Sequence, residues 1–205
     1  MGWQQWIRTV EIAPAIEAHK AVWAEREVDA LLRAGCRVIH VNAPAGSAHD
    51  AVHTLAPLMH RYDGFVDLHI GGDDFAGYAT TGADSVTFDA TAVDNVATAI
   101  ETLRDSAAQQ VGVAFGADVA PEWIANVSAG ADLVLCAIVG DAVDRVRKLA
   151  DLLPRGVTLQ LEGDVEQENV RALYLAGAQV LIADKPIFER EDLPRAYRRL
   201  VQALA

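Results

Sequence analysis

The stretch Ala129-Gly130-Ala131-Asp132, followed directly by Leu133-Val134-Leu135-Cys136-Ala137-Ile138, contains the junction that decides the fold. Gly130 can close a helix in the left-handed conformation because glycine carries no Cβ atom. The apolar run after it has the length and composition of a strand. The stretch therefore predicts a helix end that leads directly into a strand of a parallel sheet.

The same kind of junction recurs along the chain at a regular interval. Three further segments resemble it: Ala34-Gly35-Cys36, Thr81-Gly82-Ala83-Asp84 and Ala176-Gly177-Ala178-Gln179. The four glycines are 47, 48 and 47 residues apart. Four successive βαβα units of this length predict a closed (β/α)8 barrel.

Eight short apolar runs are predicted to be the strands of this barrel. Their starts lie about 24 residues apart on average, which is the spacing of a compact (β/α)8 chain. The predicted strands are Val10–Ala13, Val38–Val41, Phe65–His69, Ser85–Asp89, Gln110–Ala114, Leu133–Ile138, Thr158–Leu161 and Val180–Ala183, and the last predicted helix is Leu193–Leu204. We therefore expect one α/β domain over residues 1–205, a (β/α)8 TIM barrel.

An open, doubly wound sheet is the structural alternative. Such a sheet usually carries a glycine-rich fingerprint after its first strand, and Ala13-Pro14-Ala15-Ile16 is not one. The sequence favours the closed barrel.

Composition narrows the classes of partner and compartment. The 205 residues are 52% hydrophobic and 22% charged, which is typical of a globular domain. The 29 acidic residues outnumber the 17 Lys and Arg, and the formal charge of −12 argues against nucleic acid and against anionic membranes. The apolar runs are too short for a membrane span, the first residues do not resemble a secretory signal, and two cysteines give no disulfide framework. We expect a cytoplasmic protein.

Three polar side chains at predicted strand ends are candidate metal ligands. The active site of such a barrel lies at the carboxyl ends of its strands. His40, His69 and Glu162 end strands two, three and seven, so they are expected to converge as ligands of Zn²⁺ or another divalent transition metal. Histidines at strand ends are also often hydrogen-bonded core residues, and the residues alone leave that alternative open.

The segments that carry these residues resemble the ribulose-phosphate 3-epimerase family. Glu11-Ile12-Ala13-Pro14-Ala15-Ile16 resembles the family's I-x-P-S-I-L, and Ile39 to Gly46 resembles H-x-D-V-M-D-G. Val66-Asp67-Leu68-His69-Ile70 resembles D-V-H-L-M, and Leu161-Glu162-Gly163-Asp164 stands where V-D-G-G is usual. Ala176 to Phe188 resembles the closing segment, so the resemblance runs almost end to end.

The resemblance implies a site with two altered positions. The family's metal set is two histidines and two aspartates, and the aspartates also act as acid and base on opposite faces of the substrate. His40 and His69 match, whereas Asn42 replaces the first aspartate and Glu162 the second. A divalent ion (Zn, Fe, Mn or Co) is thus implied, with Glu162 as the remaining acid/base and Asn42 at the position that cannot titrate. Asp89 or a water would have to supply a second base.

The phosphate-binding positions are altered as well. The family holds a phosphate with backbone N–H groups of glycines after strands seven and eight. Gly163 remains, but Asp164 replaces the next glycine, and Asp184 with Lys185 replaces the second glycine step. Together with Asp89 these form the predicted substrate-binding set, and the carboxylates predict an altered or lost phosphate site.

The leading hypothesis is an isomerase or epimerase acting on a small sugar or sugar-phosphate carbonyl compound. The alternative is a catalytically silent barrel that binds a metabolite or a protein partner. The expected partner is a small sugar or sugar phosphate, without nucleic acid or membrane, and a homo-oligomer is compatible with these expectations.

Two further features are expected to be structural. His49 and His53 lie four residues apart and predict one exposed helix face rather than a metal pair. Of Trp3, Trp6 and Trp23, at least two are expected to pack in the fold, with an aromatic binding platform as the alternative.

Overall fold

The eight strands of the computed structural model pair in parallel and in chain order, and the last strand pairs back with the first. The structure describes residues 12–43, 48–72, 81–105 and 110–205. The strands are β1 (Ile12–Glu17), β2 (Val38–Ala43), β3 (Phe65–Ile70), β4 (Ser85–Asp89), β5 (Val111–Phe115), β6 (Leu133–Ile138), β7 (Thr158–Gly163) and β8 (Val180–Ala183). This closed sheet confirms the (β/α)8 barrel.

In the described ranges, helices surround the barrel. They are α1 (Ala18–Ala21), α2 (Glu25–Arg33), α3 (Ala48–His60), α4 (Val96–Asp105), α5 (Pro121–Val127), α6 (Val143–Leu152), α7 (Val170–Leu175), α8 (Lys185–Phe188) and α9 (Leu193–Leu204), with a 3₁₀ turn at Ala90–Ala92. In the described ranges, none of these helices combines the length and the apolar character that crossing a bilayer requires.

The predicted strand bounds hold closely, with two corrections. β4, β6, β8 and the last helix have the predicted bounds, and β2, β3 and β7 extend one or two residues further. The first strand was placed wrongly: it is Ile12–Glu17 rather than Val10–Ala13, and residues 10 and 11 lie outside the described ranges. It continues through Pro14 because its carboxyl half pairs with β2, from Ala15 opposite His40 to Glu17 opposite Asn42. β5 begins one residue later than predicted, at Val111.

The repeated glycines adopt the backbone conformation predicted for them. Gly35, Gly82, Gly130 and Gly177 have φ angles of 106°, 85°, 91° and 114°. A side chain is strained in this region, so glycine permits the sharp change of direction into the next strand. The sequence repeat of about 47 residues is therefore a repeat of helix-to-strand turns.

The barrel interior contains both apolar and polar side chains. Small and branched apolar side chains fill part of it: Ala13, Ala15, Val38, Ala114, Leu133, Leu135, Val180 and Ile182. Buried polar side chains fill much of the remainder: His40, Asp67, Ser85, Thr87, Thr158 and Gln160. Branched apolar residues dominate the interior of such barrels, so this set of buried polar side chains is unusual.

Candidate active site

His40, His69 and Glu162 converge at the carboxyl mouth of the barrel. One possible ligand atom from each lies within 4.8 Å of the others. Nδ1 of His69 is 4.0 Å from Oε2 of Glu162, and the two imidazole rings have centroids 5.9 Å apart. The pairing of β2 with β3 places His40 opposite Asp67 and Asn42 opposite His69. The two histidines therefore lie on neighbouring strands, offset by two residues. The three side chains that the sequence singled out do form one cluster.

A buried carboxylate fixes the first histidine. Nδ1 of His40 donates a hydrogen bond to Oδ2 of Asp67 over 2.9 Å, and both side chains are fully buried. Asp67 also accepts hydrogen bonds from the Ser85 hydroxyl and, over 3.1 Å, from Nε2 of Gln160. A charged group buried this deeply needs several partners, and these three define the position of Asp67 and hence of His40.

The second nitrogen of His40 faces Asn42. Nε2 lies 3.1 Å from Oδ1 of Asn42. An amide oxygen only accepts hydrogen bonds, so the contact needs a proton on Nε2. Burial lowers the pKa of His40, but the hydrogen bond and the charge of Asp67 outweigh burial and raise it overall above its ordinary value. Nε2 of His40 has to release this proton before it can bind a metal ion.

His69 is oriented in a similar way from the other side. Nε2 of His69 lies 3.3 Å from Oδ1 of Asp89, and Nδ1 is turned toward Glu162. Each histidine therefore uses one ring nitrogen for a carboxylate and directs the other into the cluster. Histidines that bind metals commonly have this arrangement, because the carboxylate fixes the ring and increases its basicity.

These donors fit a divalent transition metal. Two ring nitrogens and a carboxylate oxygen suit Zn²⁺, Fe²⁺, Mn²⁺ or Co²⁺. Two donor atoms about 2.1 Å from one tetrahedral ion lie about 3.4 Å apart. The 4.0 Å from His69 to Glu162 then has to shorten by about 0.6 Å, which the partly exposed Glu162 side chain can accommodate by rotation.

A cavity of about 330 Å³ opens beside the cluster, at Glu162, and carries an excess of acid. Its charged lining consists of Glu162, Asp164, Glu166, Asp184 and Lys185. Asn42, Gly163 and Ala15 also line it. The surroundings of a bound substrate are therefore predominantly negative.

Asp164 has a structural role that the sequence did not reveal. Its Oδ2 accepts a hydrogen bond from the backbone N–H of Gly140 over 2.9 Å. Gly140 belongs to the short connection between β6 and α6, which leads almost directly into the helix. The carboxylate of Asp164 thus occupies a backbone donor at the mouth and fixes this connection.

Asp184 and Lys185 lie side by side where β8 passes into α8. Both are exposed, and Asp184 precedes the first residue of α8 without capping it through its side chain. Gly163 has a φ of 101°, and a Cβ atom there would lie 2.5 Å from the carbonyl oxygen of Ile138. Glycine is therefore required at 163 by the close approach of β6.

The structure places most of the predicted substrate-binding residues around one cavity. Gly163, Asp164, Asp184 and Lys185 line it, whereas Asp89 approaches the cluster through His69. His49 and His53 stack with centroids 6.1 Å apart on an exposed face of α3, as expected. Trp3 and Trp6 lie outside the described residues, and Trp23 is exposed.

Sequence reasoning gave no role to the network beneath the histidines. None of Asp67, Ser85 and Gln160 was predicted to be a site residue. The available signal was that polar residues occupy inward positions of three strands where a barrel interior is normally apolar.

The fold and the mouth define the class of this chain: a (β/α)8 barrel with a polar site at the carboxyl ends of its strands. Within that class, the chain belongs to the ribulose-phosphate 3 epimerase family, whose model matches residues 11–188. A ribulose-phosphate 3-epimerase of Chlamydia trachomatis serovar D is 21% identical over 207 residues, which cover 90% of this chain and 88% of the relative.

Solved barrels of other activities share the fold. A thiamine phosphate pyrophosphorylase from Pyrococcus furiosus aligns with a TM-score of 0.74 and 17% identity, covering 97% of both chains. A 3-hexulose-6-phosphate synthase from Salmonella typhimurium aligns with a TM-score of 0.71 and 17% identity, covering 95% of this chain and 98% of the other. At such identities the likeness concerns architecture alone.

Removing the Asp67 carboxylate should strongly destabilise the barrel. Asp67→Ala leaves buried His40, Ser85 and Gln160 without their shared partner, and we expect a loss of about 3–5 kcal/mol in the free energy of unfolding. Urea denaturation followed by circular dichroism measures it. Asp89→Ala is the matched control, because the Asp89 side chain is 44% exposed and its loss should cost less than about 1 kcal/mol. Equal effects of the two substitutions would show that Asp67 is not the central partner.

Proposed function

We propose that this protein is a metal-dependent enzyme of the isomerase or epimerase type that acts on a small, non-phosphorylated sugar or polyol carbonyl compound. Membership of a carbohydrate epimerase family supports the general class. The observation that carries the proposal is the convergence of His40, His69 and Glu162 within 4.8 Å.

His40, His69 and Glu162 would hold the divalent ion, and the amide oxygen of Asn42 offers a fourth donor. A divalent cation bound in this way supplies Lewis acidity to a carbonyl oxygen of the substrate. The chain's own contribution is to fix both rings through Asp67 and Asp89 and to keep the fully buried His40 away from bulk water. Such support is worth about 10- to 100-fold in metal affinity in comparable sites.

Proton transfer in this site would depend on Glu162. Epimerisation next to a carbonyl needs one group to remove a proton and a second group to return one on the opposite face. Glu162 titrates, whereas the amide at Asn42 does not, and Asp89 is engaged with His69. We therefore propose proton removal and return on one face, which suits isomerisation or a retro-aldol or decarboxylative step better than inversion.

The charge of the cavity supports a substrate without phosphate. Four carboxylates, those of Glu162, Asp164, Glu166 and Asp184, line the mouth with Lys185. A phosphate dianion would be repelled by most of these charges. Sugar hydroxyls can instead donate hydrogen bonds to the carboxylates.

A catalytically silent barrel that binds a metabolite or a protein partner is the second candidate. Asn42 favours it, because it removes a titrating group from the cluster. We propose a cytoplasmic location in either case, since Cys36 and Cys136 are both free and buried. A homo-oligomer is compatible with the proposal.

The proposal predicts that the purified protein retains a divalent metal. Elemental analysis of protein prepared without chelators should find about one ion per chain, and His69→Ala should lower that content strongly because one of three ligands is lost. His53→Ala, on the exposed face of α3, is the control and should keep the wild-type content. If wild-type protein supplied with several divalent ions binds none, the metal-dependent mechanism is wrong.

The acidic mouth predicts weak binding of phosphate. In calorimetric titrations, D-ribulose 5-phosphate should bind no more tightly than D-ribulose, because the carboxylates repel the dianion. Asp184→Asn should improve phosphate binding, whereas Asp151→Asn on exposed α6 should not.

A wild-type preference of tenfold or more for the phosphorylated sugar, about 1.4 kcal/mol, would show that the phosphate site is intact.

A further inference from the structure

Trp23 is the most exposed large hydrophobic side chain that the described ranges contain. It is 85% accessible and lies in the turn between α1 and α2. An exposed indole offers an apolar face on which a ligand can stack. A single exposed side chain does not mark a site by itself, so a site here depends on the cavity that Trp23 borders.

The indole borders a second cavity, which we call the side chamber. It has a volume of about 390 Å³ and is lined on its apolar side by Trp23, Ile16, Phe188 and Leu193. Its size lies within the range of roughly 300–1,000 Å³ that small-molecule sites occupy. Two aromatic rings and two aliphatic side chains give it a distinctly apolar wall.

The side chamber adjoins the mouth cavity. Ala15 and Asp184 line both spaces. Ala15 lies on β1 directly opposite His40 of β2, so the shared boundary is on the strand next to His40. A second unit attached to a molecule in the mouth would therefore lie close to the chamber.

The polar lining of the chamber indicates the chemistry of its occupant. Glu17, Glu27 and Asp184 face it together with Lys20. This charge disfavours a phosphate or carboxylate ligand. An aromatic wall opposite carboxylates suits a sugar ring, whose apolar C–H face packs on an indole while its hydroxyls donate to the acids.

We propose that the side chamber binds a second sugar ring, so that the substrate is a glycosylated ketose whose carbonyl-bearing unit enters the mouth. The inference rests on the proposed function, because it assumes a sugar at the mouth. It adds that Trp23 determines the specificity for the distal ring of the substrate. Phe188, which borders the chamber beside Asp184, completes the aromatic wall.

Calorimetry with a matched pair of sugars tests the assignment. D-fructose carries the ketose unit alone, and isomaltulose carries the same unit with a glucosyl ring attached. Wild-type protein should bind isomaltulose at least tenfold more tightly than fructose. Trp23→Ala should abolish this preference while leaving fructose affinity unchanged, and Trp23→Phe should restore part of it. Trp123→Ala on α5, a tryptophan 45% exposed and distant in sequence, is the control and should retain the preference.

Several results would overturn the inference. Equal affinity for both sugars, or a preference that survives Trp23→Ala, would show that the side chamber does not bind substrate. Fructose binding in the same titrations would leave the proposed function unaffected. A dimer that dissociates on Trp23→Ala in size-exclusion chromatography would assign the indole to an interface between copies. Binding of neither sugar would also refute the second-ring site, and the metal content described above would then decide the proposed function separately.

Discussion

The hydrogen bond between the buried Asp67 carboxylate and Nδ1 of His40 is the constraint on which the mouth of this barrel depends. A carboxylate at zero exposure is tolerated only with enough partners, and His40, Ser85 and Gln160 provide them from three other strands. Burial raises the pKa of Asp67, but the hydrogen bond and charge of His40 outweigh burial and hold it below the ordinary value. The carboxylate therefore stays charged and fixes the ring that faces the site.

The barrel itself could be predicted because its signals are local and repeated. Gly35, Gly82, Gly130 and Gly177 each meet a backbone requirement that only glycine satisfies easily, and their spacing counts the units. The start of β1 was harder to predict from the sequence, because its extent depends on pairing with β2 and β8 rather than on its own composition. Strand register is a tertiary property, and a single segment carries little information about it.

The candidate site could also be predicted in part from the sequence. Strand-end position was enough to find His40, His69 and Glu162, since parallel strands in a barrel all end at one face. The partners of Asp67 could not be found in this way, because Gln160 is 93 residues away in sequence and meets it only across the closed barrel. The bond from Gly140 to Asp164 likewise depends on how two loops approach each other.

The chain combines a cluster of metal-type ligands with an asparagine at one of the two positions where the family carries its acid/base pair. Holding a histidine pair with carboxylates requires buried charged and polar groups, and a purely structural barrel does not need such groups. Asn42 and the acidic mouth change what such a cluster can do, since one face of the substrate loses its titrating group. We propose that proton transfer therefore proceeds on one face through Glu162.

Deuterium exchange tests this claim most directly. D-ribulose is incubated with the metal-supplied protein in D₂O, and proton NMR follows both loss of the C3 proton and formation of D-xylulose, its C3 epimer. We expect deuterium at C3 with retained configuration, loss of exchange in Glu162→Gln, and a rise of about 10²–10⁴-fold in xylulose formation in Asn42→Asp. Xylulose formed by the wild-type protein as fast as the C3 proton exchanges, or no exchange at all, would contradict it.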